Sequence, residues 1–421
     1  MLPYRQPFLL SNHGSDRATA YVHANKCVTR AGLTHVVWTD AVAVTQGRTF
    51  NHQAGAWGET ITIGTGRDNH NDPCLTADAE GRLRIAFGPH GDWDQLENPE
   101  KWPSGKFKVG AATEPGSLAS ITQFHPIGYG ATYAFLLHLA DGRDALAYRG
   151  GEQPFSVQFQ VQRPLGGWTH AQPLMAQDIK PQYTHYGASL AAAPDGTLYA
   201  GAHFYNIGTK RSAGVGILKS PDGGLTWLDL KGRRLALPAL YGKRIAVPSF
   251  AAADSPYNGG LAVAPDGALW ALVYASAGKR FPLRLSRWDG KAWDTINLDA
   301  VLPPERGVCQ AILSLDAAGR LHILAAAVER ARFGKDDQTF GHPSLQVFHL
   351  WTDPGKTAFR HRMISDGDPE IPSWHPSLSL PGPFHPVEKP VLLFTKGRNQ
   401  AASDTGCRHT LETDVYCVLP E

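Results

Sequence analysis

A turn signal built on Asp and Gly recurs five times between short apolar runs. It reads Asp78-Ala-Glu-Gly81-Arg-Leu83, Asp141-Gly142, Pro194-Asp195-Gly196-Thr-Leu198, Pro265-Asp266-Gly267-Ala-Leu269 and Asp316-Ala-Ala-Gly319-Arg-Leu321. Asp-Gly between β-patterned runs marks a hairpin, because the turn needs a residue at positive φ. The first aspartates of successive turns stand 63, 54, 71 and 50 residues apart. A period of about 60 residues, each holding one or more hairpins, reads as propeller blades, and a chain of this length holds about seven of them. Helical periodicity is absent throughout. The expectation is an all-β fold, a single seven-bladed β-propeller, with residues 1–421 forming one catalytic domain.

Composition agrees with many turns. The 44 Gly and 31 Pro among 421 residues exceed average usage, which is about 12% for the two together. Trp 11, Tyr 13 and Phe 17 supply flat apolar surfaces of the kind that stack on sugars. Lys+Arg 40 against Asp+Glu 38 leaves +2, which argues against nucleic acid as a partner, since such proteins carry a basic face. No apolar run reaches 18 residues, so no transmembrane helix and no membrane partner are expected. A monomer is expected. The five cysteines, Cys27, Cys74, Cys309, Cys407 and Cys417, are scattered and form no disulfide framework. The segment from Met1 to Pro7 lacks the apolar stretch of a signal peptide. A secreted or periplasmic protein whose signal peptide is absent from this sequence is expected, with a cytoplasmic location as the alternative.

Two further elements repeat. His70-Asn-Asp-Pro-Cys-Leu75, His185-Tyr-Gly-Ala-Ser-Leu190, His342-Pro-Ser-Leu345 and His375-Pro-Ser-Leu378 each set a histidine before a strand, so some of these histidines serve the repeat itself. Lys219-Ser220-Pro-Asp222-Gly-Gly-Leu-Thr226-Trp227 fits an Asp-box, the hairpin turn of sialidase-like propellers. It speaks for fold and says little about chemistry. The segment Ala18–Lys26 is expected to pair with strands near Val415–Leu419 and so close the sheet edges.

In an antiparallel hairpin the residue entering the first strand and the residue leaving the second lie at the same end. Around Asp78–Gly81, His70 enters and His90 exits. Around Asp141–Gly142, Tyr133 enters and Arg149 exits. Around Asp195–Gly196, His185 and Tyr186 enter while His203 and Tyr205 exit. Three neighbouring blades therefore present ionisable groups at one end, a plausible acid–base groove.

The run Asp68-Asn69-His70-Asn71-Asp72-Pro73, then Gly88-Pro89-His90, Thr132-Tyr133 and Tyr148-Arg149 resembles the seven-bladed propeller polysaccharide lyases of the ulvan lyase type. The resemblance covers about residues 15–230 and implies β-elimination on a uronic acid in a rhamnose-rich acidic polysaccharide. It implies His70, His90, Tyr133, Arg149 and Tyr186 as catalytic, and Asn69, Asn71, Trp93, His185, His203 and Tyr205 as substrate-binding. Arg149 suits the carboxylate, being always charged and bidentate. His70 suits the base, and Tyr133 or Tyr186 the acid. The individual roles are interchangeable at this level.

Catalysis is expected to need no cofactor. Cys407-Arg-His409, with Cys417 nearby, is the candidate for a structural metal, zinc or calcium, although a Cys-x-His pair alone does not make a tetrahedral site. The rival functions are an α-L-rhamnosidase-type hydrolase on the same scaffold and a non-catalytic carbohydrate-binding propeller. A sialidase is disfavoured, because there is one good Asp-box and no Arg-Ile-Pro start motif.

Overall fold

The computed structural model describes residues 4–21, 24–66, 69–88, 106–152, 154–180, 184–248, 254–275, 280–334, 339, 341–398 and 413–421. The described chain is all-β. It includes a single 3-10 turn, Ala41–Ala43, and no helix among the described residues is long and apolar enough to cross a membrane.

The strands form six sheets of antiparallel neighbours. One joins Cys74–Ala77, Leu83–Phe87, Phe107–Ala111 and Phe124–Ile127. The next joins Thr132–His138, Asp144–Gly150, Ser156–Val161 and Gln172–Ala176, with Ala239–Leu240 added in parallel. A third holds Ala188–Ala192, Leu198–Asn206 and Arg211–Ser220, with Thr184–His185 on the same middle strand. The fourth runs Pro256–Val263, Leu269–Ala275, Leu283–Trp288 and Trp293–Asn297. The fifth runs Arg306–Leu315, Leu321–Glu329, Gln346–Thr352 and Phe359–Met363. The last has nine strands and mixes both chain ends. Ser373–Leu378, Leu392–Lys396, Thr413–Val418 and Phe8–Gly14 meet Leu33–Asp40 through one bridge, Gly14↔Asp40. The first strands of successive sheets pack on one another in chain order.

Each of the five Asp-Gly turns joins the first two strands of a sheet. Gly81, Gly142, Gly196, Gly267 and Gly319 hold φ between 77° and 86°, which a side chain would strain. The aspartates cap the turns. Asp78 Oδ1 accepts the amides of Glu80 and Arg82 at 3.1 and 2.8 Å, and Asp316 Oδ1 those of Ala318 and Arg320 at 3.0 and 2.8 Å. Two first hairpins lack the signal. Cys27–Arg30 turns at Ala31 and Gly32, while Ser373–Leu378 is followed by the long connection 379–391. That connection crosses to other sheets: Phe384 O accepts Arg30, Val387 O accepts the Ala317 amide, and His385 Nε2 meets Thr76 Oγ1 at 2.9 Å.

The Asp-box is built as its sequence implies. Asp222 Oδ1 accepts the amides of Leu225 and Thr226, Oδ2 accepts the Thr226 hydroxyl, and Trp227 packs edge-on against Phe159. Asp222→Ala should destabilise the fold by about 1.5–3 kcal/mol, since the bonds go to a charged acceptor. An unchanged urea midpoint would show that the turn holds itself.

The expected closing strand needs correction. Phe8–Gly14, not Ala18–Lys26, pairs with Thr413–Val418, in the register Phe8↔Cys417 to Gly14↔Thr413. The 18–21 backbone is drawn into tight turns, Ala18 N to Ser15 O and Ala20 N to Arg17 O, and the Tyr21 amide bonds to Asp72. A strand cannot form where the amides are already turned elsewhere. Four cysteines, Cys27, Cys74, Cys309 and Cys417, are buried free thiols.

Candidate functional site

The strand ends opposite the Asp-Gly turns carry the ionisable groups. His70 lies four residues before Cys74–Ala77. Tyr133 sits in Thr132–His138 at a β-bulge, with φ +62°, where the register slips between Thr132 and Phe135. His375 has φ +51° at the equivalent slip between Trp374 and Ser377. Left-handed backbone at a bulky residue is strained and persists only where its surroundings over-determine it. Bulges re-aim side chains, and here they aim two aromatic rings into one cluster.

Arg149 is opposite Thr132 in the ladder and 1% exposed. Its Nη2 donates to Thr132 Oγ1 at 2.9 Å, and its guanidinium carbon lies 5.2 Å from the Tyr133 ring centre and 4.5 Å from that of Phe155. The ring of Tyr133 meets His185 edge-on at 4.5 Å and Tyr21 edge-on at 4.8 Å. His70 lies 6.1 Å from Tyr133 and 6.2 Å from Tyr21, and His375 lies 6.2 Å from Tyr21.

Arg17 fixes one side of the cluster. Its Nη1 donates to the Tyr21 hydroxyl at 2.6 Å and to His70 Nε2. A guanidinium cannot accept, so His70 Nε2 is the acceptor and the ring proton sits on Nδ1. Burial first, then Arg17 and Arg149, hold the His70 pKa well below the usual imidazole range. Burial, with Arg17 and Lys26, does the same to His375. On the other side, the Asn258 amide donates to His203 Nδ1, which leaves His203 Nε2–H to donate to His185 Nδ1 at 2.8 Å. Burial lowers the His203 pKa to about 3. These three rings are neutral at neutral pH.

Below the rings lies a buried ion pair. Asp72 Oδ1 accepts Lys26 Nζ at 2.6 Å and the Tyr21 amide at 2.9 Å. Burial raises the carboxyl to about 6, against the pull of Lys26. Asp16 Oδ1 accepts the Asn69 side-chain amide at 2.9 Å, and its carbonyl accepts Trp374 Nε1 at 3.0 Å.

Of the residues expected from sequence, the structure brings together His70, Tyr133, Arg149, His185 and His203. Asn69 lies beside them on Asp16. Tyr205 stands at the edge, its ring 6.3 Å from Tyr257, which is itself 4.8 Å from His203. Two residues point elsewhere. Asn71 donates to Ala43 O and Thr45 Oγ1 in the neighbouring sheet. Tyr186 lies in the main apolar core, its ring edge-on to Phe204 and its hydroxyl accepting the Gln177 amide at 3.2 Å. Successive residues of an extended chain face opposite ways, so His185 joins the cluster and Tyr186 does not.

His90, Trp93, Cys407 and His409 lie outside the described residues. Among the described residues no group of three or more His, Cys, Asp or Glu could hold a metal ion. Cys417, the expected neighbour of that metal, packs among Leu10, Val415 and Leu419, and burial pushes its thiol well up.

Sequence reasoning missed Arg17, Tyr21, Lys26, Asp72 and Tyr257 as members. Asp72 stood inside the motif that carries His70. The segment Ala18–Lys26, which holds Tyr21 and Lys26 and follows Arg17, read as a strand, and nothing in its spacing signals a site.

No protein-family model matches the chain, and no curated protein matches it. Solved structures do. A structure of the polysaccharide lyase PL25 ulvan lyase aligns with a TM-score of 0.72 at 16% identity, over 98% of this chain and 96% of that one. A structure of PL25 ulvan lyase bound to -[GlcA(1-4)Rha3S]- gives 0.70 at 15%, with the same coverage. The crystal structure of the polysaccharide lyase Uly1 gives 0.59 at 13%, over the whole of both chains. At these identities the likeness establishes a common fold.

Proposed function

We propose that this chain is a polysaccharide lyase that cleaves an acidic glycan of uronate and rhamnose by β-elimination, from one end of a seven-bladed β-propeller. The propeller reading rests on topology. Separating the nine-stranded sheet at its single Gly14–Asp40 bridge gives seven antiparallel groups, and their first strands touch in chain order. The amino-terminal strand on Thr413–Val418 then closes the ring. The ulvan lyases that share the fold, one of them holding an acidic glucuronate–rhamnose saccharide, support the substrate class. Fold alone does not fix function.

The observation that carries the chemical reading is Arg149 over Tyr133, beside neutral His70, with Arg17 on the far side. Elimination needs a cation for the uronate carboxylate, because charge flows onto it as the carbon 5 proton leaves. Arg149 fills that role. His70 takes the proton. In the free protein its Nε2 is held by Arg17, and burial with two guanidiniums makes it a weak base. A substrate carboxylate would draw on those guanidiniums, release Nε2 and strengthen the base where it is needed. Tyr133 then protonates the glycosidic oxygen leaving carbon 4, the nearby guanidinium stabilising its phenolate. Tyr21 and the Lys26–Asp72 pair beneath it hold Arg17 and the ring stack in position.

A glycosidase would need two carboxyl groups facing the bond. Asp16 and Asp72, the carboxyl groups beside the cluster, are engaged within the protein, on the Asn69 side chain and on Lys26 and the Tyr21 amide.

The test is incubation with ulvan, reading ultraviolet absorbance and product mass together. Elimination gives a carbon 4–carbon 5 double bond conjugated to the carboxylate. Products carrying one added water and no chromophore would overturn the lyase reading in favour of a hydrolase. Neither product would favour a binding propeller. Tyr133→Phe should lower the rate of chromophore formation by about 10²–10⁴ while leaving the melting temperature in place.

A further inference from the structure

We propose a second saccharide site on the rim, where the first and last strands of the chain meet, for an anionic sugar unit of the polysaccharide. The choice of polysaccharide rests on the lyase reading; the pocket itself is independent of it. Phe8 opens the strand Phe8–Gly14, and Trp57 lies in the short strand Ala56–Trp57. Their rings stack at 5.3 Å and 21°, and Phe50 meets Trp57 edge-on at 5.3 Å. Strand alternation puts Arg48 and Phe50 on one face of Val44–Asn51. The Arg48 guanidinium carbon lies 5.4 Å from the Phe8 ring centre and 6.0 Å from that of Trp57, and Arg5 lies 4.9 Å from Phe50. With Gln6 and Gly55 these groups line an open cavity of about 360 Å³.

Two features point to an anionic sugar. The outer part of the aromatic group is open to water, Phe8 being 39% exposed and Trp57 half-buried over a buried Phe50, and aromatic faces are what the C–H face of a sugar ring stacks on. Both arginines are cations that meet no carboxylate among the described residues; Arg48 Nε donates to Gly58 O at 2.6 Å and leaves its outer nitrogens for a ligand. A guanidinium set near aromatic rings gains from their π-faces and can still offer its fork to a carboxylate or sulfate. The volume sits at the low end of small-molecule sites, about 300–1,000 Å³, and suits one or two sugar rings rather than a protein segment.

The pocket is remote from the cluster. Six residue steps of strand lead from Phe8 to Gly14, after which Asp16 and Arg17 enter the cluster. At about 3.3 Å per residue those steps span up to about 20 Å. A long polymer can occupy both at once, and the rim site then raises its effective concentration at the cluster. A short oligosaccharide cannot.

The experiment is affinity electrophoresis through gels containing ulvan, heparin or neutral glucomannan, with Tyr133→Phe as the background so that the polymer survives the run. Adding Arg48→Ala and Trp57→Ala together should weaken retardation by ulvan about tenfold and leave migration in glucomannan unchanged. Arg5→Gln, at an exposed position that leaves the aromatic stack intact, should weaken it in the same direction if the double variant fails to fold. Equal retardation of all variants in ulvan, or retardation by glucomannan as strong as by ulvan, would overturn the proposal. Retardation by heparin that the rim variants lose, together with a wild-type protein (Tyr133 intact) that makes no unsaturated product from ulvan, would uphold this site and refute the lyase reading.

Discussion

Arg149→Ala is expected to slow formation of the unsaturated product from ulvan by about 10²–10³, the usual cost of one well-placed electrostatic partner. The guanidinium is buried, bonded to Thr132 Oγ1 and set over Tyr133 and Phe155, so its removal also leaves a void. Two readouts separate chemistry from lost packing. Arg149→Lys keeps a cation but loses the planar fork, and should recover stability further than it recovers rate. The pH–rate profile is the sharper readout. Arg149 is one of the cations that hold the His70 pKa down. Without it the base limb should move to higher pH, and Arg149→Lys, which restores the cation, should move it back where a merely refilled void would not. An Arg149→Ala protein with wild-type turnover would remove the carboxylate partner from the mechanism and leave the elimination reading without its central observation.

The all-β order of hairpins was legible because the turns are chemically demanding. An Asp that accepts one or two turn amides and a Gly that must hold positive φ leave few alternatives, and the five such turns all join first and second strands. The two first hairpins without that pattern were invisible for the same reason. Ala31-Gly32 carries no aspartate, and residues 379–391 are no tight turn. The Asp-box was equally direct, since Asp222 has a fixed set of partners.

The candidate site was legible only in part. Hairpin geometry says which residues share an end, and His70, Tyr133, Arg149, His185 and His203 do meet. It cannot say which of two neighbours faces inward. His185 and Tyr186 are adjacent, and the strand phase sends the tyrosine into the core. Nor can it foresee a bulge. Tyr133 reaches the cluster through a left-handed residue and a slipped register, neither of which sequence alternation encodes. Arg17 and Tyr21 were hidden more deeply. They arrive on a turn-rich segment whose apolar residues imitate a strand, and contacts to Asp72 and Thr395, 51 and 376 residues away, hold that segment in place.

The same buried histidines make the fold acid-labile, and the expected effect is large. Burial lowers His35 and His385 to about 4 and His203 to about 3. In the unfolded chain each titrates near 6.5. The folded state therefore binds fewer protons, its stability is full above about 6.5, and it is lost as pH falls toward the folded values. Between pH 6.5 and 5.5 each such histidine costs about 1 kcal/mol. Asp72 works the other way. Its folded pKa is raised to about 6, so it takes up a proton on the folded side and returns about 0.7 kcal/mol over that interval. The three histidines less Asp72 leave a net loss of about 2 kcal/mol, and His70, His349 and His375, also lowered well below the usual range, deepen it. Against total stabilities of about 5–15 kcal/mol that is a visible fraction. Urea midpoints should fall steadily from pH 7.5 through 6.5 to 5.5. His385→Gln offers the internal control. A glutamine can keep a bond to Thr76 Oγ1, where His385 Nε2 now sits at 2.9 Å, but it carries no titratable proton. The variant should show a shallower acid slope by about one proton. Midpoints that hold constant or rise below pH 6.5 would mean that these rings are protonated in the folded state, and the neutral, proton-accepting His70 of the mechanism would fall with them.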